Sequence, residues 1–379
     1  MKKCKQHPTY KGIRVPRSDC PDCLAVFKEN NPGIGEDVDL DLIEQGHKEK
    51  IKGVERKYRE LIGRYNELQQ FVETIKVLQQ DPQITEILPK KGSNTSEATA
   101  VFVYSDWHAE EKVDPETVNG LNSFDLDIFK RRATYCFQNS LRLLEMNQHE
   151  VVINTVILAL LGDFISNYLH EELQEINTLP PTKALFLVEN QLISGIDMFL
   201  KHTDCNLVIP CCCGNHGRFT KKKRHANQVG TSLEWVLYTM LARHYQDINE
   251  KRVKFIIPDS YLAYIQVYDQ MLRFHHGDGI KYQGGVGGIT IPLNKAIAQW
   301  NKAKHADLDV IGHWHQLRDG GCYVCNGSLI GYNAYALSIK ADFETPKQAF
   351  FLMDRDRKKT INGPVFLERV QRKPTVKSR

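Results

Sequence analysis

The stretch LVIPCCCGNH, residues 207–216, indicates the fold class of this chain. An apolar run rich in β-branched residues ends there abruptly in Gly-Asn-His, which is typical of a buried strand entering a polar loop at the edge of a sheet. On its own such a junction is common, and its histidine is more often a hydrogen-bonded core residue than a ligand. The same construction, however, recurs four more times along the chain.

Each of the other four junctions joins a short apolar strand to Asp or His residues. Their sequences are VFVYSDWH at 101–108, VILALLGD at 156–163, MLRFHHGD at 271–278 and LDVIGHWH at 308–315. Parallel α/β sheets collect the carboxyl ends of their strands on one side, and ligands bind there. We therefore predict an α/β domain in which metal-ligating side chains cluster at this edge.

The composition is that of a soluble globular protein. The chain has 379 residues, 41% hydrophobic and 25% charged, which suits one large domain and a smaller segment. No apolar run reaches the length of a membrane span, and the basic N-terminus lacks the apolar core of a signal peptide. The net charge of +4 is too small to predict nucleic-acid binding by itself. Because the ten cysteines are expected to stay reduced, we predict a cytoplasmic protein without a membrane partner.

Residues 1–30 contain two pairs of metal-binding side chains. Cys4 and His7 form a Cys-x2-His pair, and Cys20 and Cys23 form a Cys-x2-Cys pair. Four such ligands can close a tetrahedral zinc site, and the ion would supply the folding free energy that so short a segment lacks. We predict a structural zinc knuckle here, and the alternative is two unrelated pairs.

Residues 36–80 have the pattern of one long helix. Apolar residues at spacings of three and four run from Ile51 to Ile75, which is typical of a coiled coil and predicts a homodimer through residues 51–75. The alternative is an amphipathic helix that packs on the rest of the chain. Pro82 ends the pattern, and residues 81–98 are expected to be a linker.

Residues 99–369 form the predicted catalytic domain, and residues 370–379 form a basic tail. Helices are expected near residues 125–147, 183–202, 229–246 and 292–304. Loops or insertions near the site are expected at 166–182 and 217–228. A closing hairpin is expected from strands at 348–354 and 360–368.

The ordered motifs Asp-x-His, Gly-Asp, Gly-Asn-His, His-Gly and Gly-His-x-His resemble those of the calcineurin-like metallophosphoesterases. The match covers eight positions, which are Asp106, His108, Asp163, Asn215, His216, His276, His313 and His315. The resemblance implies an α/β fold in which a metallophosphoesterase-type β sandwich is flanked by helices (α/β/β/α). It also implies a two-metal centre between the sheets.

The resemblance further implies a role for each of these residues. The implied ligands of one metal ion are Asp106, His108, Asp163 and His315. Those of the other ion are Asp163, Asn215, His276 and His313, so that Asp163 bridges the two. His216 would contact the phosphoryl group and protonate the leaving oxygen as a general acid. Oxygen ligands mixed with imidazoles favour manganese, with iron or zinc as alternatives, and two such ions can bind a phosphoryl oxygen and activate water.

Two positions depart from the family pattern. Gly217 stands where an acidic residue often orients the histidine, so another group must orient His216. The segment after Asp163 lacks the second Asp and the Arg of the protein phosphatases, which is unfavourable for a phosphoprotein phosphatase. His275 and Asp278 are candidates to support a neighbouring ligand histidine.

A run of cations follows the Gly-Asn-His motif, and it consists of Arg218, Lys221, Lys222, Lys223 and Arg224. Beside a site for phosphate chemistry, these residues could bind a polyanionic backbone, and the alternative is an ordinary solvated surface. We therefore favour a phosphodiesterase or nuclease with DNA or RNA as its partner. One alternative is an enzyme acting on small nucleotides or phosphomonoesters. Another is a nucleic-acid or protein binding module with a structural phosphoesterase domain.

Overall fold

The computed structural model describes residues 4–14, 16, 20–32, 52–57, 85–88, 96–224, 229–281, 288–338 and 340–368. The chain divides into two units, Met1–Gln79 and Gln80–Arg379. None of the helices within the described ranges combines the length and the apolar character that crossing a bilayer requires.

The first unit contains helix α1, Pro21–Asn30, which begins directly after Cys20. Proline suits the first turn of a helix, where its missing N–H has no intrahelical partner. Of the long helix predicted over 36–80, the structure describes residues 52–57, which are helical. The remainder of that helix and most of the interface predicted through 51–75 lie outside the described residues, as does the basic tail.

The second unit contains two six-stranded sheets, each with parallel and antiparallel pairs. From edge to edge, sheet 1 consists of β1 (Thr85–Ile87), β6 (Ala263–Val267), β7 (Gln270–His275), β8 (Leu308–Ile311), β10 (Tyr323–Cys325) and β9 (Arg318–Asp319). Sheet 2 consists of β12 (Lys358–Phe366), β11 (Lys347–Asp354), β2 (Glu97–Tyr104), β3 (Val152–Leu160), β4 (Asn206–Pro210) and β5 (Val253–Ile256). Strands β2 to β5 are parallel, as are β7 and β8. The closing hairpin predicted from the sequence, β11 and β12, is confirmed.

Helices cover the outer face of each sheet. Sheet 2 packs against α2 (Leu126–Gln148), α4 (Pro181–His202) and α5 (Leu233–Asp247), and sheet 1 packs against α6 (Thr290–Ala303). All four helices predicted for the catalytic domain are therefore confirmed. Two shorter helices are α3 (Glu171–Ile176), inside the expected insertion at 166–182, and α7 (Ala334–Ser338).

Alternation along β2 shows how the layers are built. Phe102 and Tyr104 pack into the core beneath the helices of sheet 2, whereas Val101 and Val103 belong to the core between the two sheets. Successive residues of a strand point to opposite faces, so a strand buried on both sides is apolar at every position. The order helix, sheet, sheet, helix confirms the α/β/β/α sandwich that the motif resemblance implied.

The expectation of a linker over residues 81–98 is wrong in two places. Thr85–Ile87 forms β1 and pairs in parallel with β6. Glu97 is already part of β2. A strand of three residues is too short for a period-two pattern, so the sequence carried no sign of β1.

Candidate metal centre

All seven predicted ligands lie just beyond the carboxyl ends of five strands. Asp106 and His108 follow β2, Asp163 follows β3, Asn215 follows β4, His276 follows β7, and His313 and His315 follow β8. Because β2 to β4 belong to sheet 2 and β7 and β8 belong to sheet 1, the centre lies where the two sheets meet.

The first group of candidate ligands comprises Asp106, His108 and His315, whose ligand atoms all lie within 4.8 Å of one another. Nε2 of His108 lies 3.3 Å from Nε2 of His315, and the latter lies 3.4 Å from Oδ1 of Asp106. Two imidazole lone pairs at this separation repel each other unless a proton or a cation lies between them. These donors fit a divalent ion that takes nitrogen and oxygen ligands.

The second group comprises Asp163, His276 and His313, again with ligand atoms within 4.8 Å of one another. Nδ1 of His276 donates to the carbonyl oxygen of Leu161 at 2.6 Å, which leaves a lone pair on Nε2. That Nε2 lies 2.9 Å from Oδ2 of Asp163 but is not aligned for a hydrogen bond. Oδ1 of Asn215 is buried and has no hydrogen-bond partner among the described residues. A buried acceptor without a hydrogen-bond partner is also available to a divalent cation.

A relay of hydrogen bonds orients His108. Oγ of Ser166 is 2.9 Å from Nδ1 of His108 and donates to Oε2 of Glu111, also at 2.9 Å. Because the serine proton is directed to the carboxylate, the serine oxygen accepts from Nδ1–H of His108. Nε2 is then unprotonated and available to an ion.

Burial and neighbouring charges keep most of these groups in the forms that bind metals. Burial lowers the pKa of His108 far below its usual value, and it lowers that of His313 to about 4. Burial alone would raise the pKa of Asp163, but His276 and His216 hold it well below the usual range. Burial alone would lower the pKa of His276, but the adjacent Asp163 raises it to about 10. A positive charge beside Asp163, either a proton on His276 or a bound cation, is therefore favourable.

Five of the seven candidate ligands have left-handed backbone conformations. Their φ angles are +57° at Asp106, +49° at His108, +53° at Asp163, +71° at His313 and +54° at His315. Each such conformation costs on the order of 1–3 kcal/mol for a residue with a side chain, and such strain concentrates at functional sites.

Glu234 is a supporting residue that the sequence did not reveal. Its fully buried carboxylate accepts hydrogen bonds from the amide of Phe164 at 2.7 Å and from the amide of Gly214 at 2.6 Å. It thereby joins the loop that carries Asp163 to the loop that carries Asn215. In the sequence Glu234 is an ordinary acidic residue in the first turn of α5, where it would be attributed to helix capping.

We expect Glu234→Gln to lower the affinity for the metal ions by about 10- to 100-fold, the range typical of residues that support ligands. Glutamine keeps one acceptor oxygen but places an NH2 group against the second backbone amide. Metal titration of the apoprotein, monitored calorimetrically, measures the change. Glu189→Gln, in the middle of α4, is the control. Equal affinities for wild type and Glu234→Gln would contradict the supporting role.

His216 is oriented by a main-chain group. Its Nδ1 lies 2.9 Å from the carbonyl oxygen of Ser166, which can only accept, so Nδ1 is the donor. The ring centroid lies 4.8 Å from that of His108. The carbonyl of Ser166 therefore orients His216, which is the role expected of an acidic residue at position 217. A carbonyl is common to every residue type, so no sequence signal could have identified it.

Two residues proposed as supports for ligand histidines have other contacts. His275 points away from the centre, because it alternates with His276, and its Nε2 lies 3.3 Å from Oδ1 of Asp309. The buried carboxylate of Asp278 forms an ion pair with Lys223. Lys223 also donates to the backbone oxygen of Asp278 at 2.7 Å.

Fewer cations of the run predicted over residues 218–224 are therefore available to a substrate than the sequence suggested. Lys223 pairs within the protein, and Arg218 donates to the carbonyl oxygens of Asn215 at 2.5 Å and Thr220 at 3.1 Å. These bonds hold the loop together, so neither residue is a freely projecting cation. The remaining three, Lys221, Lys222 and Arg224, are exposed.

The N-terminal unit brings its four predicted zinc ligands together. Sγ of Cys4 lies 3.7 Å from Sγ of Cys20, and Sγ of Cys23 lies 3.3 Å from Nδ1 of His7. All four ligand atoms lie within 4.8 Å of one another. Two thiolates bound to one tetrahedral zinc ion at ~2.3 Å are separated by roughly 3.8 Å, so these donors fit that ion.

We expect the double substitution Cys20→Ser and Cys23→Ser to remove one zinc ion per chain. The variant lacks two thiolates, and serine is a poor ligand for zinc. Elemental analysis of the purified protein measures the number of zinc ions per chain. Cys322→Ser, at an exposed free thiol, is the control. An unchanged zinc content in the double variant would contradict a structural zinc site.

Comparisons with known proteins give only distant likenesses. No family model matches the chain, and no curated protein matches it. Among solved structures, it is similar to a predicted phosphoesterase from Streptococcus pneumoniae, with 10% identity, 72% of this chain and 98% of that chain covered, and a TM-score of 0.29. It is also similar to a hypothetical protein from Pyrococcus horikoshii, with 12% identity, 71% of this chain and 88% of that chain covered, and a TM-score of 0.34. A third similar structure is Vps29 from Entamoeba histolytica complexed with zinc, with 12% identity, 70% of this chain and 99% of that chain covered, and a TM-score of 0.27. Similarities this low do not establish a shared function.

Proposed function

We propose that this chain is a metal-dependent phosphoesterase of the calcineurin-like type and that it hydrolyses phosphodiester bonds in nucleic acid. The main support is that the predicted ligands form two groups of three, Asp106, His108 and His315 in one and Asp163, His276 and His313 in the other, with the amide of His216 donating to Asp163. Their types and order along the chain match the motif pattern of that family at eight positions.

The residues of the centre suit in-line hydrolysis of a phosphate ester. Two divalent ions, when bound, would stabilise charge on the phosphoryl oxygens and activate water. Nδ1 of His216 is engaged by the carbonyl of Ser166, so its Nε2 is the nitrogen that can protonate the leaving oxygen as the ester bond breaks. Ser166 and Leu161 engage Nδ1 of His108 and His276, so that Nε2 of each would be available to bind an ion. Such ligands need little reorganisation during the reaction.

Nucleic acid is the favoured substrate because the exposed cations Lys221, Lys222 and Arg224 follow His216 closely in the chain. The affinity for such cations grows with the number of phosphates that a ligand presents. The second candidate substrate is a small nucleotide or phosphomonoester. It is favoured by a recess beside His315, whose walls include Tyr332 and Glu344.

We also propose that manganese is the native ion at the centre, with iron or zinc as alternatives, because the ligands mix carboxylate, amide and imidazole groups. A cytoplasmic setting fits the ten cysteines, none of which forms a disulfide bond. A homodimer through residues 51–75 rests on the heptad pattern of the sequence.

Hydrolysis assays with the full chain and Mn²⁺ test the proposed function. The substrates are end-labelled single-stranded DNA, the same sequence as a duplex, a nucleoside monophosphate and a small phosphodiester. Cleavage of DNA that stops on chelation and returns with Mn²⁺ supports the nuclease. Activity on the monophosphate alone would instead identify a phosphomonoesterase. Inactivity on all four substrates would contradict the proposal and favour a binding role.

A further inference from the structure

We propose that a surface beside the metal centre binds single-stranded nucleic acid by combining exposed rings with exposed cations. This rim surface consists of Tyr168, His170, Phe219, Lys221, Lys222 and Arg224. The inference rests on the proposed function and adds the form of substrate, a single strand rather than a duplex.

Two loops that are distant in sequence form the rim surface. Nδ2 of Asn167 donates to the carbonyl oxygens of His216 and Arg218, both at 3.0 Å. Tyr168 directly follows the donor of these bonds, and Phe219 directly follows one acceptor. The bonds therefore hold Tyr168 and Phe219 on two neighbouring loops, the second of which carries His216. No sequence pattern connects the two segments, which is why the sequence shows no aromatic array.

The rings of this surface are open to solvent. Phe219 is 62% exposed and Tyr168 is 43% exposed. His170 is also exposed, and its ring centroid lies 6.4 Å from that of His216. An isolated exposed ring is ordinary on a protein surface, but these three lie on two joined loops beside the proposed general acid. Such rings offer flat faces on which bases can stack.

The charges indicate how a strand would lie on this surface. Lys221, Lys222 and Arg224 are exposed on the same loop as Phe219. Exposed Glu171 and Glu172 begin α3 next to His170 and would repel phosphate there. We therefore expect the phosphates to lie along 221–224 and the bases to face Tyr168 and His170.

A single strand suits this arrangement better than a duplex. In a duplex the faces of each interior base are covered by its stacked neighbours, so a protein ring cannot stack on them. Unpaired bases expose both faces, and rings next to a cationic groove are a common way to bind them without sequence preference.

Steady-state hydrolysis of single-stranded DNA by the manganese-loaded full chain tests the role of the rings. Tyr168→Ala and Phe219→Ala should each raise KM about fivefold or more, as expected when one base no longer has a ring to stack on. We expect kcat to change little, because neither ring belongs to the centre. Tyr168→Phe, which keeps the ring, should behave like wild type, whereas Tyr168→Leu should behave like the alanine variant. Met146→Ala, at an exposed apolar side chain of α2, is the control.

The salt dependence of KM tests the role of the cations. The triple substitution of Lys221, Lys222 and Arg224 by Ala should reduce the slope of log KM against log salt by about 2, or about 0.7 for each phosphate that is no longer neutralised. The control replaces Lys201, Lys251 and Lys254 by Ala. These exposed lysines lie near the amino ends of β4 and β5, whereas the metal centre lies beyond the carboxyl end of β4.

Three outcomes would overturn the inference. The first is an unchanged KM for single-stranded DNA in the double variant Tyr168→Ala plus Phe219→Ala. The second is an equal loss with a small phosphodiester, which would mean that the variants disturb the centre. The third is a duplex that binds as well as the single strand and loses as much affinity in the variants.

A binding measurement separates this inference from the proposed function. Fluorescence anisotropy with labelled single-stranded DNA reports on the rim surface whether or not the chain cleaves DNA. Loss of binding in the variants of a chain that does not hydrolyse DNA would support the surface and reject the nuclease. If wild type cleaves DNA and all variants bind single-stranded DNA equally well, the nuclease is supported and the rim surface is rejected.

Discussion

Replacing Asp163 by alanine is expected to release the metal ions and to lower phosphoester hydrolysis by about 10³-fold or more. The side chain is 1% exposed, and both of its oxygens have close polar neighbours. Oδ1 accepts from the amide of His216 at 2.8 Å, and Oδ2 faces Nε2 of His276 at 2.9 Å. Its backbone oxygen accepts the amides of Trp107 and His108, so Asp163 contacts both ligand groups.

Metal content and initial rates are the measurements for Asp163→Ala. Asp354→Ala is the matched control, because Asp354 is also a buried aspartate but lies at the far end of sheet 2, opposite Ala98. That control should lose some stability and retain both metal and activity. A fully active Asp163→Ala protein would exclude the proposed two-metal mechanism. Loss of metal and activity in both variants would indicate general unfolding instead.

Replacing Gly214 by alanine is expected to destabilise the fold by about 2 kcal/mol or more and to disrupt the metal centre. An added Cβ would lie 2.1 Å from Oδ1 of Asp163 and 2.4 Å from its backbone nitrogen. Part of that obstacle is backbone, which cannot move aside as a flexible side chain can. The opposite loop has the same restriction, because a Cβ on Gly162 would lie 2.2 Å from the nitrogen of Gly214.

Thermal unfolding and metal content measure the effect of Gly214→Ala. The matched control is Gly230→Ala, because a Cβ at Gly230 would have no atom within 4 Å and its φ is not in the left-handed region. We expect the control to unfold within a few degrees of wild type and to bind metal normally. Similar behaviour of the two variants would show that the close approach of the two loops is unimportant.

Several features could be predicted because their signals are local. The strands before Asp106 and Asp163 are continuous apolar runs that stop at a polar residue, which marks both the strand and its end. Strand alternation also predicts that Cys322 and Cys325, three positions apart, face opposite sides, and the first is exposed while the second is buried. Strand β1 escaped prediction because three residues at a sheet edge carry no pattern.

The contacts that support the centre could not be predicted in the same way. Glu234 lies 71 residues after Asp163 in the chain (234 − 163). A glutamate is also ordinary at the start of a helix, so its residue type carries no signal. The cations after His216 were an informative cluster, yet the sequence could not show that Lys223 is paired with Asp278. The type of a residue limits the bonds that its side chain can form, but the tertiary structure determines which partner is within reach.

The sequence by itself determined the periodic strands and long helices of the catalytic domain and the eight chemically distinctive positions at their junctions, because periodicity and residue type are properties of short segments. The tertiary structure alone decided that three junctions lie on one sheet and two on the other. It also placed Glu234 between two loops and set Tyr168 beside the loop of Phe219. These arrangements depend on burying apolar faces between distant segments, and that burial is a property of the whole chain.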